Sequence, residues 1–290
     1  MTPSFEHVPD NFGALPADLS NYAAARVAVL PVPYDSTVTF GAGTRRGPRA
    51  IIEASQNIEL YDAELGRDPL ACGVATLPPL ETDVRGPEFQ VARVERAVSA
   101  VLDDGKIPAL LGGEHSITLG AVRALASRFR DLSVLQIDAH LDLRDSYQGS
   151  PFSHACVARR CLELVPLVQV AVRSVSDEEH RFVADHDLRP FYAWDLEGRT
   201  DWIPAILSRV SPNVYVTLDL DGLDPSLCGA VGTPEPGGLS WRRITSLIRA
   251  CGDCASIVGF DVVELAPHEF SIPSNVVAAR LSFRLIAAAI

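Results

Sequence analysis

The sequence predicts an α/β fold: three layers, α/β/α, around a mostly parallel sheet, with residues 1–290 forming one domain. Three observations predict it. Short apolar, β-branched runs alternate with amphipathic stretches of helical length. The runs are apolar on both faces, as strands are in a parallel sheet covered from both sides. Clusters of acidic and histidine residues follow three of these runs, and open parallel sheets bind ligands outside the carboxyl ends of their strands. On alternation alone, a (β/α)8 barrel is the competing architecture.

The elements follow in order. Strand Arg26–Val32 comes first, and helix Pro87–Leu102 leads into strand Ile107–Leu111. Helix Ile117–Phe129 precedes strand Ser133–Ile137. Strand Val168–Val172 precedes helix Ser176–His186 and strand Arg189–Ala193. Helix Trp202–Val210 precedes Val214–Leu218, and helix Trp241–Ala250 precedes Ser256–Val262. There is no internal repeat, low-complexity tract or linker, so nothing divides the chain.

Composition narrows the function. A net charge of −12 argues against a nucleic-acid binder, which needs a basic face. The longest apolar runs, such as Val168–Val172 and Leu285–Ile290, are too short to span a bilayer. Residues Met1–Asn11 lack the basic-then-apolar pattern of a secretory signal, so a cytoplasmic protein is expected. The six cysteines are scattered, unlike a disulfide framework. Cys251 and Cys254 form a CxxC that follows a helical pattern, away from the polar clusters, and read as structural thiols. Lys106 is the only lysine.

The chemistry sits in three segments. Leu110-Leu-Gly-Gly-Glu-His-Ser116 ends a strand in two glycines and presents Glu114 and His115. In Val134-Leu-Gln-Ile-Asp-Ala-His-Leu-Asp142, the residues Asp138, His140 and Asp142 are spaced i, i+2, i+4 and would point the same way in an extended chain. In Val214-Tyr-Val-Thr-Leu-Asp-Leu-Asp-Gly-Leu-Asp-Pro225, Asp219 and Asp221 share a face. A lone DxD is often a turn or cap. Three such clusters at strand ends are not. Four converging carboxylates repel one another unless cations sit among them. Carboxylates with a few imidazoles and no thiolates suit hard to borderline divalent ions, and four carboxylates balance two of them. Manganese is the first choice; zinc, iron, cobalt and nickel stay open.

These motifs resemble the metal motifs of the ureohydrolases, the family of arginase, agmatinase, guanidinobutyrase and formiminoglutamase. Phe40-Gly-Ala-Gly-Thr-Arg-Arg-Gly-Pro-Arg-Ala50, Gly232-Thr-Pro-Glu-Pro-Gly-Gly238 and Asp261-Val-Val-Glu-Leu-Ala-Pro267 extend the resemblance over about residues 25–285. It implies an eight-stranded sheet, two Mn2+ ions and a homotrimer or homohexamer. It implies His115, Asp138, His140, Asp142, Asp219 and Asp221 as metal ligands, with Asp142 also accepting a hydrogen bond from the nucleophile. His154 falls where the family keeps a proton-shuttling histidine. Glu264 falls where it keeps the carboxylate that pairs with the guanidinium, and Thr233 lies beside it. One departure is Glu114, where the family often has Asp.

The expected substrate is a small cationic guanidino compound. Agmatine, giving putrescine and urea, fits best, because Gly232–Gly238 and Ser153–Val157 resemble agmatinases and the loop 143–152 lacks the arginase pattern. Asp145 or Glu235 would then face the far amine. Arg144 leaves a competing reading open, a guanidino acid such as 4-guanidinobutyrate whose carboxylate it would hold, although a surface salt bridge is the preferred role for it. Arginase and formiminoglutamase readings rank lower, and a non-catalytic binding protein on this fold is the remote alternative. Arg45, Arg46, Arg49 and Arg173 have no assigned role.

Overall fold

The computed structural model describes residues 8–290. Most of the N-terminal segment discussed above, residues 1–7, lies outside the described residues. Among the described residues, eight strands form one sheet in the order β2-β1-β3-β8-β7-β4-β5-β6. They are β1 (Val27–Val32), β2 (Val74–Thr76), β3 (Ile107–Gly112), β4 (Leu132–Ile137), β5 (Leu167–Val172), β6 (Phe191–Tyr192), β7 (Asn213–Asp219) and β8 (Ser256–Val263). Every pairing is parallel, so the sheet is an open all-parallel one and not a barrel.

Ten helices among the described residues accompany it: α1 (Ala17–Ser20), α2 (Gly47–Ser55), α3 (Pro87–Asp103), α4 (Thr118–Ala126), α5 (Val157–Leu162), α6 (Asp177–Asp185), α7 (Ala193–Leu196), α8 (Trp202–Leu207), α9 (Trp241–Cys254) and α10 (Ile272–Ala289). Alternate residues of each strand feed opposite cores. Val27, Val29, Leu135, Ile137, Val216 and Leu218 pack with α2, α8, α9 and α10. Leu30, Leu110, Val134 and Tyr215 pack with α3, α4 and α5. Those are the two outer layers.

Several elements are not singled out by the sequence reading, β2 and α10 among them. β2 is a three-residue edge strand, too short to show alternation. α10 buries most of its circumference, including Ala278, Ala279, Leu281, Phe283, Leu285 and Ile286, so its apolar face is too wide to read as a stripe. The Arg189–Ala193 run forms a strand over two residues only. The CxxC lies inside α9, which runs on to Cys254. Cys251 is buried and Cys254 exposed, with no disulfide, and burial pushes the Cys251 thiol up to about 12.

Candidate metal centre and active site

Five neighbouring strands, β3, β8, β7, β4 and β5, end on one rim of the sheet and deliver the polar clusters. After β3 the chain turns through Gly113. A Cβ there would stand 1.9 Å from the Tyr34 carbonyl oxygen, so only glycine fits between β3 and His115.

His115 is buried, and its Nδ1 lies 3.1 Å from Asp219 Oδ2, 3.2 Å from Asp138 Oδ2 and 3.3 Å from Asp142 Oδ2. His140 Nδ1 lies 3.1 Å from Asp221 Oδ2 and 3.5 Å from Asp138 Oδ1. The two groups, His115–Asp138–Asp219 and Asp138–His140–Asp221, are each compact enough to hold an ion, and Asp138 gives one oxygen to each. All six residues singled out from sequence thus converge. They do so by a different route from the extended chain expected. β4 stops at Ile137, and Asp142 takes a left-handed backbone with φ 53°. Leu220–Gly222 is a 3-10 turn.

Local hydrogen bonds aim the free lone pairs inward. Asp219 Oδ1 accepts from the Asp221 backbone N–H, and Asp221 Oδ1 from that of Ala139. In Asp219 and Asp221 the other oxygen, Oδ2, faces a histidine. His115 Nδ1 is buried without a hydrogen-bond partner among the described residues. Its other nitrogen, Nε2, lies 2.8 Å from Thr217 Oγ1. Thr217 in turn donates to Asp261 Oδ1 at 2.6 Å, so its oxygen accepts from Nε2–H and leaves Nδ1 bare. Asp261 is fully buried and also takes hydroxyl donors from Thr118 and Tyr215. An orphaned imidazole lone pair among three carboxylate oxygens fits a divalent cation.

The electrostatics agree. Burial, then the charge of Asp138, pushes Asp142 up to about 7. Burial, then the charge of Asp221, raises Asp219 well above the usual carboxylate range. Negative charge is crowded at a place where a cation would relieve it.

A cavity of about 260 Å3 opens onto these groups, and His154, Thr233 and Glu264 line it as well. Glu264 is buried and takes φ 67°, a strained conformation for this residue type. Its Oε1 accepts from the His115 backbone N–H at 2.6 Å. Burial, then the nearby Glu114 charge, raises it above the usual carboxylate range, and a cationic guanidinium beside it would bring it back to the ionised form. Burial and the neighbouring histidines depress His154 to about 4, so it is neutral near pH 7. Thr233 donates to Asp221 Oδ2 at 3.1 Å, which ties it to a metal-competent group.

Other expectations change. Asp145 is exposed and pairs with Arg160, and neither it nor Glu235 lines the cavity. Arg144 does line it, lying over the Tyr147 ring at 5.0 Å and 3.9 Å from Glu178. Arg45 pairs with Asp35, Arg46 donates to the Pro267 carbonyl, and Arg49 pairs with Asp10 and Glu53. Arg173 donates to five backbone carbonyls, of Ala171, Asp221, Leu223, Glu235 and Pro236. It staples the Asp221 turn to the loop that carries Thr233. Sequence reasoning passed over Thr217, Thr37 and Tyr147. Thr217 was accessible, since it sits two residues before Asp219 on the same strand face.

The arginase family model matches residues 25–288. The chain belongs to the arginase family. Among its relatives, the N(1)-aminopropylagmatine ureohydrolase of Synechocystis is 37% identical over 97% of this chain and 96% of its own length. A Thermus thermophilus enzyme of the same name is 38% identical over 91% of this chain and 90% of its own. The crystal structure of agmatine ureohydrolase from Thermoplasma volcanium superposes with a TM-score of 0.87 at 38% identity, covering 97% of this chain and 94% of that one. The chain is therefore an arginase-family hydrolase with the family's α/β fold. Among the described residues, no helix is long and apolar enough to cross a membrane.

Proposed function

We propose that this chain hydrolyses the guanidinium group of a linear guanidino amine, agmatine or N(1)-aminopropylagmatine, releasing urea and the corresponding amine. One observation carries this reading: two clusters sharing Asp138 face the same cavity as the half-anchored carboxylate of Glu264. The relatives' names supply the aminopropyl form of the substrate, which the sequence motifs alone did not.

His115, Asp138, Asp142 and Asp219 would hold one Mn2+, and Asp138, His140 and Asp221 the second. Bound divalent ions lower the pKa of water and act as Lewis acids. The residues of the chain do the rest. Glu264 has one oxygen fixed by His115 N–H, so the other is left to pair with the guanidinium and orient its carbon. Asp142 accepts a hydrogen bond from the attacking water and helps aim it. His154 carries a proton to the departing amine. Thr233 steadies Asp221 and borders the substrate.

Arg144 on the cavity wall favours a second reading, a guanidino acid whose carboxylate it would hold. The test is urea release by manganese-loaded protein from agmatine, N(1)-aminopropylagmatine, arginine, 4-guanidinobutyrate and 3-guanidinopropionate. Preference for either amine upholds the proposal. Preference for a guanidino acid moves the assignment to Arg144, and urea from none of them overturns it. The reading also takes residues 1–290 as one ureohydrolase domain in a cytoplasmic homotrimer or homohexamer. Sedimentation measures the assembly.

A further inference from the structure

His154 does not stand alone in the cavity wall. Its Nδ1 lies 3.0 Å from Thr37 Oγ1, and its backbone N–H donates to the same oxygen at 3.1 Å. Thr37 Oγ1 is also 2.8 Å from Oε1 of Glu114. Glu114 is fully buried and collects four donors: Ser36 N–H and Thr37 N–H at 2.6 Å on Oε2, and the Thr37 and Ser116 hydroxyls on Oε1. Burial raises the Glu114 pKa and these four hydrogen bonds oppose that rise, and four donors with no acceptor facing them match the four lone-pair sites of an ionised carboxylate.

This fixes the direction of each bond. Thr37 has one hydroxyl proton, and an anionic acceptor outbids a neutral imidazole for it. The proton therefore points at Glu114, and the Thr37 oxygen must accept from His154. Accepting from the ring requires hydrogen on Nδ1. The Nε2 atom then carries the lone pair, and it has no hydrogen-bond partner among the described residues, while the ring lines the cavity. Ser153 Oγ, 3.4 Å from Nδ1, is too distant to compete.

The geometry points to Thr37, anchored by Glu114, as a positioning residue that holds His154 in the Nδ1–H tautomer and presents a bare Nε2 to the cavity. The assignment rests on the ureohydrolase reading for its role in turnover, though not for the tautomer itself. His154 would then enter each cycle as an acceptor. Nε2 takes a proton from the attacking water and passes it to the leaving amine nitrogen, returning neutral with Nδ1–H unchanged. It also gives Glu114 a task. Its carboxylate reaches both backbone N–H groups of the 36–37 turn and the Thr37 hydroxyl at once.

Four proteins test it: wild type, Thr37→Val, which keeps the shape and loses the hydroxyl, Thr37→Ser, which restores it, and His154→Asn, which serves for signal assignment. The tautomer is read from 15N shifts of ring-labelled histidine in zinc-loaded, diamagnetic protein, with the His154 signals assigned by their loss in His154→Asn. Wild type should show a protonated Nδ1 and a bare Nε2; the opposite pattern overturns the proposal without any substrate. In manganese-loaded protein, Thr37→Val should lower kcat by about 10- to 100-fold, part of the roughly 10²- to 10⁴-fold that positioned proton transfer supplies, with KM and metal content unchanged. Thr37→Ser should recover it. Wild-type kcat in Thr37→Val, or an equal loss in both variants, overturns the assignment. If wild type releases no urea from any compound, the ureohydrolase reading fails while the tautomer measurement still decides the geometry.

Discussion

Thr217 Oγ1 stands 2.8 Å from Nε2 of His115, on the side of the ring away from the carboxylates. Because Thr217 spends its proton on Asp261, the contact selects which histidine nitrogen is left bare. Thr217→Val removes that selection and changes little else in shape. We expect metal affinity at the His115 cluster to fall by about 10- to 100-fold, the usual cost of losing an outer hydrogen bond to a ligating histidine. Titration calorimetry with manganese measures it; an unchanged affinity would show that the carboxylates alone fix the ring.

That relay also marks what the sequence made legible. The parallel sheet, its two helical layers and the six convergent ligand candidates were readable from alternation and strand-end clustering. The path of the chain at the site was not. Asp142 and Glu264 sit in left-handed backbone that local propensity argues against, and only the tertiary site holds them there. Most hydrogen-bond partners of Glu114, Asp261 and Arg173 lie tens of residues away, so no local pattern announces them. α10 hid for the opposite reason, being apolar on too many faces.

Glu264→Gln keeps the volume and the acceptor for His115 N–H but removes the charge. Turnover should drop by about 10²-fold or more, as with other lost charge-stabilising contacts in buried sites. Metal content, measured by elemental analysis, should be unchanged because Glu264 belongs to neither cluster. Loss of metal together with activity would mean that Glu264 shapes the ion site.

Arg173 satisfies five carbonyls with a planar fork that lysine cannot reproduce. Arg173→Lys should leave several of those carbonyls without donors. Unfolding free energy should fall by about 1–3 kcal/mol, and manganese should bind more weakly because the Asp221 turn loses its tie to the 235–236 loop. Denaturant titration and calorimetry check the two effects. A variant that loses stability alone would restrict Arg173 to packing.

Asp83 gives a pH prediction. Hydrogen-bonded ion pairs with Arg85 and then Arg93 hold its carboxyl well below the usual range, against the opposing effect of burial. A depressed folded pKa adds stability above the unfolded value of about 3.9 and loses it as pH falls through the folded one. Wild type should therefore melt above Asp83→Asn at pH 6–8, and the gap should close as the pH is taken below about 4. Thermal melts across that range test it; a gap that persists in acid would point to the neutral hydrogen bonds instead.

The only lysine is a last case of a charge used inside the fold. Lys106 is buried, and Nζ donates to the Ala25 carbonyl at 2.8 Å and the Ala23 carbonyl at 3.4 Å. It also lies 4.7 Å from the centre of the Tyr22 ring, whose hydroxyl is tied to Asp104. The ammonium therefore closes the chain entering β1 against the start of β3. Lys106→Met conserves the stem and its packing but leaves those carbonyls unmet, which costs about 1–3 kcal/mol. The cation–ring contact adds about 0.5–1 kcal/mol. A chain of this size should lose about 2–4 °C in Tm per kcal/mol, with urea release at 25 °C unchanged because the site lies at the opposite ends of these strands. A melting temperature equal to wild type would show that water replaces the ammonium at no cost.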